Sequence, residues 1–106
     1  MAKYLLEVNY TLDGVNGVVA KGGSARKAAA AAAAKSVGGK LESFYFAFGD
    51  TDVFAICDFP DNASAAGFAL AVTAAGGAAV RTRVLLTPDE VDAGTQQNVK
   101  YKPPGS

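Results

Sequence analysis

The chain has 106 residues, of which half are apolar, and its ten basic and ten acidic side chains cancel to a formal net charge of zero. This length predicts one domain with its own core. Lysine and arginine are not clustered, which argues against nucleic acid as a partner, because binding to phosphates requires clustered basic residues. The start has neither the basic region of a signal peptide nor a long apolar stretch, so we expect a cytoplasmic protein without a membrane partner.

Histidine is absent, and Cys57 is the only cysteine. These counts exclude a Ser-His-Asp triad, a histidine-ligated haem, an imidazole zinc site and an internal disulfide. A lone thiol suits a reducing compartment. Without a histidine to activate it, Cys57 is expected to be a small buried apolar residue rather than a nucleophile. We therefore expect no cofactor.

The first predicted element is a strand over residues 3–10, where side chains alternate in polarity with the period of two that is typical of a strand. Glu7 and Asn9 lie on its more polar face. A short helical turn follows, which either Thr11 or Asp13 can cap.

The next element is a helix predicted over residues 25–37. Ser24 has a side chain suited to the N-cap, and the alanines at 28–34 have the highest helix propensity. Glycines 22–23 interrupt the chain before this helix. Glycines 38–39 are expected to end it, because glycine accepts the left-handed conformation that follows many helix ends.

Two strands then form a predicted tight hairpin. Residues 41–48 make the first strand and residues 52–59 the second, with residues 49–51 as the link. Tyr45 lies on one face of the first strand. The phenylalanines of that strand share the other face, namely Phe44, Phe46 and Phe48.

The last elements are a helix over residues 63–75, capped by Asp61, and a strand over residues 79–86. Thr87, followed by proline, predicts the start of one more short helix. The polar, proline-bearing residues 94–106 are expected to form an extended C-terminal tail.

The order strand, helix, strand, strand, helix, strand is typical of the α+β class and of a ferredoxin-like βαββαβ subunit, with a four-stranded antiparallel sheet and helices on one face. Residues 1–93 form the predicted domain. Because the strands carry apolar side chains on both faces, we expect a second copy to cover the face without helices. The expected product is a homodimer or higher homo-oligomer, a dimeric α/β barrel, in which the tail can reach the neighbouring subunit.

Four segments, "YLLEVNYT", "GGKLESFYFAFGDTDVFAI", "PDNASAAGFALAV" and "VRTRVL", resemble the GYD family of small bacterial proteins. They span nearly all of residues 3–87, and the second segment is the most specific. The resemblance implies a dimeric α/β barrel, as in small monooxygenases, dye-decolourising peroxidases and stress-responsive barrel proteins, but it implies no function. Residues 49–52, Gly-Asp-Thr-Asp, stand where the family has Gly-Tyr-Asp, so no role of that tyrosine ring is carried over.

Asp50 and Asp52 are interpreted first as turn residues, because aspartate accepts backbone hydrogen bonds in tight turns. Alternatively, Asp52 at the barrel mouth is a buried carboxylate that serves as a general base. Glu7 and Tyr45 are the other candidate catalytic residues. Two carboxylates are too few to predict a metal site, although Mg²⁺ or Ca²⁺ with waters stays open.

The candidate ligand-binding residues are Asn9, Arg81 and Arg83. The favoured interpretation is that Glu7 and Asn9 pair with the two arginines across the sheet, because opposite charges on neighbouring strands are common. The alternative is a polar patch in an apolar pocket, where the arginines clamp a carboxylate or phosphate of a small molecule.

These patterns support two functions. The favoured one is an oligomeric small-molecule-binding or structural module without catalytic activity, because no catalytic constellation stands out. The alternative is a cofactor-independent enzyme of the small monooxygenase or isomerase type, with its pocket in or beside the barrel; it rests on fold analogy alone. The absence of histidine disfavours a haem enzyme.

Overall fold

The computed structural model describes residues 1–105, and no helix in this range is long and apolar enough to cross a membrane. The elements, in chain order, are β1 (Ala2–Tyr10), α1 (Leu12–Lys21), α2 (Gly23–Ser36), β2 (Lys40–Phe46), β3 (Val53–Phe59), α3 (Asn62–Ala74), β4 (Ala78–Leu85) and α4 (Pro88–Thr95). The strands form one sheet in the order β2-β3-β1-β4, with every neighbouring pair antiparallel. This confirms the predicted α+β, ferredoxin-like class.

The core lies on one face of the sheet, here called the helix face. Because side chains alternate along a strand, Leu6 of β1 and its cross-strand partner Ala55 of β3 point to the same side. Both are buried in one cluster with Ala34 of α2 and Phe68 of α3. The other side, here called the open face, carries the intervening residues.

The junction between α1 and α2 is a single residue. Thr11 caps α1 by accepting a hydrogen bond from the Gly14 N–H at 3.3 Å, as one of the two alternatives predicted. Gly22, at a φ of 85°, ends α1 and also precedes α2. The prediction that Ser24 caps the second helix is wrong. Glycine tolerates this left-handed φ, so α2 begins one residue before Ser24.

Three other helix ends confirm the predictions. Gly38 follows the end of α2 with a φ of 80°, as expected for a glycine beyond a C-cap. The Asp61 carboxylate accepts the Ser64 N–H at 2.8 Å and caps α3. Thr87 and Glu90 form a reciprocal capping box that begins α4. Local capping chemistry therefore determines where these helices begin and end.

The hairpin between β2 and β3 differs from the prediction. β2 ends at Phe46, and the Ala47 N–H donates to the Asp52 carbonyl at 2.9 Å, so that residues 48–51 form a four-residue loop. Phe48 is fully exposed in this loop and does not share the face of the other two phenylalanines. The alternation over residues 41–48 therefore overstated the strand by two residues.

The C-terminal segment extends away from the rest of the chain. Residues 86–105 are all exposed, α4 included. The Cα radius of gyration is 16.9 Å, whereas a compact chain of this length has about 13 Å. The difference is explained by this arm, which leaves residues 2–85 as the packed body.

Candidate functional site

A cavity of about 560 Å³ lies between the helix face of the sheet and helices α1, α2 and α3. Its sheet wall includes Leu6, Val8 and Phe44. Cavities of about 300–1,000 Å³ are the size at which proteins bind small molecules. The cavity is therefore the first candidate for a functional site.

The helix wall of the cavity is rich in very small residues, with Phe68 and Val72 of α3 as its large apolar members. Six of the residues that the helices contribute are alanine or glycine: Ala29, Ala30 and Ala33 of α2, Ala71 of α3, and Gly14 and Gly17 of α1. Protein cores normally fill the space between layers at a packing density of about 0.75. Alanine and glycine leave the space beneath them empty, so the alanine run that favours the helix also creates the cavity.

Helix α1 is held against the start of β4 by a close backbone contact. A Cβ atom placed on Gly14 would lie 1.9 Å from the Gly77 carbonyl oxygen. The Thr11 N–H donates to the same oxygen at 3.0 Å, and the Thr11 hydroxyl donates to the Gly76 carbonyl at 2.8 Å. These contacts fix α1 as one wall at this end of the cavity.

The same end of the cavity carries its charged side chains, Asp13 and Arg26, beside Tyr10. Tyr10 is the last residue of β1, and the other two lie in the first turns of α1 and α2. Burial raises the pKa of the Tyr10 hydroxyl, and the adjacent Arg26 guanidinium opposes this increase. The cavity thus combines an apolar body with a polar end.

Cys57 lines the cavity from β3 and is completely buried. Burial raises the pKa of its thiol to about 11, and the Asp58 carboxylate adds to the effect. The thiol is therefore protonated at neutral pH. The burial of Cys57 is as expected, and the raised pKa disfavours the thiolate, which is the reactive form.

The residues predicted from the sequence lie on the open face, away from the cavity. Glu7 and Asn9 alternate along β1 with cavity-lining residues, and Tyr45, Arg81 and Arg83 share the open face through the strand register. The Glu7 carboxylate accepts a hydrogen bond from Arg83 Nε at 2.6 Å, and this contact lowers the pKa of Glu7. Asn9 accepts from Arg81 at 3.3 Å. The predicted pairing across the sheet is confirmed.

Asp52 has a structural contact in the hairpin. Its carboxylate accepts the Tyr10 backbone N–H at 2.8 Å, and its own N–H donates to the Val8 carbonyl at 2.9 Å. These contacts support the turn interpretation. Asp52, Glu7 and Tyr45 do not converge on one point, because Phe54 stands between Glu7 and Tyr45 in the cross-strand row.

Thr51 is a buried polar residue that the sequence did not indicate. Its hydroxyl accepts a hydrogen bond from Arg81 at 2.9 Å, and the Asn9 side-chain amide donates to the Asp50 carbonyl at 2.6 Å. These bonds attach the loop to β1 and β4.

The sequence analysis also did not predict the cavity. The feature of the sequence that could have indicated it is the large number of alanines and glycines in the helices that face the sheet.

Within residues 1–105, no three side chains of the types histidine, cysteine, aspartate and glutamate come together to hold a metal ion. Asp50 and Asp52, which left Mg²⁺ or Ca²⁺ open, differ in their surroundings: Asp50 is exposed, and the Asp52 carboxylate accepts a backbone N–H of β1. The apolar cavity is therefore the stronger candidate for a binding site.

Comparison with known proteins gives one match. The family model described as the GYD domain matches residues 4–94. No curated protein and no solved structure matches the chain. The matched range includes β1 from Tyr4 onward, the other three strands and all three helices around the cavity.

Proposed function

The chain belongs to the GYD domain family, and we propose that it is a homo-oligomeric module that binds a small apolar molecule and has no catalytic activity. The observation that carries this proposal is the cavity of about 560 Å³ between the sheet and the helices. The oligomer is proposed from the composition of the open face.

A ligand accounts for the cavity better than water does. A cavity of about 560 Å³ has room for many water molecules. Most of them would face alanine, valine, leucine and phenylalanine side chains, which offer no hydrogen bonds. Buried water is stable where it makes about three hydrogen bonds with polar groups. An apolar ligand would instead convert the exposed apolar wall into buried surface, which is favourable by about 25 cal/mol per Å².

The open face supports a second copy as partner. Tyr45 and Phe54 are 70% and 38% exposed there, with Leu5 and Ile56 half-buried beside them. No helix in residues 1–105 packs on these side chains. Burial of each large apolar side chain contributes about 1.5–3 kcal/mol. A two-fold axis through this face would bury the same residues from both copies at once.

Charges on the open face do not oppose such a dimer. Glu7 is already paired with Arg83 within one chain, and Arg81 already donates to Thr51 and Asn9. Lys3 is paired with Glu42 and Asp58 at the edge of the same face. A second copy therefore meets an apolar patch of Leu5, Phe54, Ile56 and Tyr45, surrounded by charged groups that already have partners within the chain. The result would be the dimeric α/β barrel, with one cavity in each subunit on the side away from the interface.

The alternative, a cofactor-independent enzyme, has less support. The candidate catalytic residues Glu7 and Tyr45 lie on the open face, on the other side of the sheet from the cavity. The third, Asp52, has its carboxylate engaged by the backbone N–H of Tyr10. Cys57 does reach the cavity, but burial raises the pKa of its thiol to about 11 and so disfavours the reactive thiolate further. Binding is the function that an apolar cavity provides without a catalytic group.

The direct test is titration with a neutral apolar fluorophore whose emission increases in apolar surroundings, such as N-phenyl-naphthylamine. Saturable binding with one site per chain is expected. Absence of saturable binding in the native protein, at concentrations where the fluorophore remains dissolved, would contradict the proposal.

A cavity-filling variant and a matched control locate the bound probe. Ala30 of α2 lines the cavity, whereas Ala32 in the same helix is exposed and outside it. Ala30→Leu is expected to weaken binding at least about tenfold, or about 1.4 kcal/mol, and to raise the melting temperature by filling empty space. Ala32→Leu should change neither quantity. Equal effects of both variants would place the probe elsewhere.

A further inference from the structure

The polar groups of the cavity are concentrated at one end. Apart from the buried thiol, the polar side chains of its lining are Tyr10, Asp13 and Arg26. They come from the end of β1 and from the first turns of α1 and α2, which meet near Gly77. A ligand in this cavity would therefore have its apolar part among the alanines and any polar group at this end.

Arg26 and Asp13 do not neutralise each other. None of the three ion pairs among residues 1–105 includes either residue. The Arg26 guanidinium lies beside the Tyr10 hydroxyl, and both side chains line the cavity, so two groups able to donate hydrogen bonds lie together at this end. An arginine presents a planar fork that matches the two oxygens of a carboxylate, and charge-assisted bonds of this kind are about twice as strong as neutral ones.

We propose that the cavity binds an apolar or aromatic carboxylic acid as its monoanion, with the carboxylate held by Arg26 and Tyr10 and the apolar body between the sheet and the alanine wall. The proposal rests on the small-molecule binding proposed above and names the class of its ligand. Asp13 limits that class: a second anionic group near this end would be repelled, because like charges at close range are unfavourable. A ligand with one carboxylate and an otherwise uncharged skeleton is compatible with both Arg26 and Asp13.

The experiment uses three probes with one apolar skeleton: dansyl-labelled undecanoic acid, its methyl ester, and dansyl-labelled undecylamine. Binding to the full chain is followed by dansyl fluorescence. The acid is expected to bind about tenfold more tightly than the ester, which corresponds to one charge-assisted interaction. The amine is expected to bind more weakly than the ester, because its charge meets the Arg26 guanidinium.

Charge variants separate the headgroup from the cavity. Arg26→Gln should remove the preference for the acid and leave the affinity for the ester unchanged, whereas Asp13→Asn should strengthen binding of the acid. Tyr10→Phe should reduce the preference partly. Lys27→Gln is the matched control, because Lys27 is the adjacent exposed base and does not line the cavity. It should change nothing.

The outcomes distinguish the two proposals. If the ester binds and the acid has no advantage, or if the amine binds best, the headgroup assignment is wrong while binding in the cavity stands. If no probe binds, both proposals are wrong. If Lys27→Gln reduces the preference as much as Arg26→Gln, the preference reflects general surface charge and the assignment to Arg26 is overturned.

Discussion

The Asp52 carboxylate accepts the backbone N–H of Tyr10 at 2.8 Å, where β1 leaves the sheet. This contact ties the β2–β3 loop to the end of the central strand, and it orients the residue whose ring lines the polar end of the cavity. Asp52→Ala leaves this N–H without its partner, and we expect a loss of about 1.5–3 kcal/mol in the free energy of unfolding. Urea denaturation measures it.

Asp50→Ala is the matched control, because Asp50 is exposed in the same loop. It should cost less than about 0.5 kcal/mol. Asp52→Asn retains an oxygen acceptor without the charge and should fall between the two. If Asp52→Ala were as stable as the wild type, the turn interpretation of Asp52 would be wrong.

Arg81 and Arg83 share the open face but differ in their partners. Both are exposed, but Arg81 donates to the buried Thr51 hydroxyl at 2.9 Å, whereas Arg83 pairs with the Glu7 carboxylate at 2.6 Å. Arg81→Ala leaves a buried hydroxyl without a partner and should lower the free energy of unfolding by about 1–3 kcal/mol. Chemical denaturation at low and high salt should show that the effect of Arg83→Ala decreases more with salt than that of Arg81→Ala, because only Arg83 forms an ion pair with Glu7. Equal salt dependence in both variants would contradict the assigned roles.

Stability at alkaline pH should depend on Cys57. Burial raises the pKa of its thiol from 9.0 to about 11. Between these pH values the unfolded chain releases the thiol proton and the folded chain keeps it, so the free energy of unfolding falls as pH rises. The total loss is at most about 3 kcal/mol, since one pKa unit corresponds to about 1.4 kcal/mol.

The variant Cys57→Ala isolates this contribution. Burial also raises the pKa of Tyr10. At alkaline pH its ionisation in the unfolded chain therefore lowers the free energy of unfolding of both proteins alike. Urea denaturation from about pH 8 to about pH 10.5 gives the free energy of unfolding of both proteins. The value for the wild type minus the value for the variant should decrease as pH rises, because only the wild type has the Cys57 thiol. A difference that stays constant over this range would show that the folded thiol ionises as readily as the unfolded one.

The proposed dimer places Phe54 near the centre of the open face, between Tyr45 of β2 and Glu7 of β1. Phe54→Asp would bury an unpaired carboxylate in the interface, which is strongly unfavourable. Light scattering on a sizing column should show a dimer for the wild type at micromolar concentration and a monomer for this variant. Leu70→Asp, at an exposed position of α3, should remain dimeric. A wild-type monomer would refute the interface.

Alternation of polarity predicted the sheet well. Glu7 and Asn9 lie on the more polar face of β1, and Tyr45 lies opposite Phe44 and Phe46 in β2, as the sequence indicated. One face of the neighbouring strand β3 is buried, and a buried face determines register strongly. Helix ends with a local capping signal were also predictable, as at Asp61 and Thr87. Ser24 was not, because Gly22 alone forms the junction and the second helix starts before a serine cap is needed.

The cavity was harder to predict than the strands. Sequence indicates which residues are small, but the empty volume depends on how closely the helices approach the sheet, and that distance is set by contacts such as Gly14 on Gly77. The polar residues predicted as a site, Glu7, Asn9, Arg81 and Arg83, stand out because they interrupt apolar strands. Arg26 does not stand out in an exposed helical turn, because only tertiary structure brings it next to Tyr10.

Gly14 and Gly17 provide the sharpest test of how α1 forms its wall of the cavity. A Cβ on Gly14 would lie 1.9 Å from the Gly77 carbonyl oxygen, whereas a Cβ on Gly17 would meet no atom within 4 Å. Gly17→Ala should therefore stabilise the protein by about 0.5–1 kcal/mol, because alanine is the better helix former. Gly14→Ala carries the same propensity gain but must displace α1 from β4, so we expect a net loss of about 1–3 kcal/mol and weaker binding of the neutral fluorophore. Thermal unfolding and fluorophore titration measure both effects, and a stabilised Gly14→Ala variant would show that α1 can move away from β4 at no cost, contrary to its role as a fixed wall.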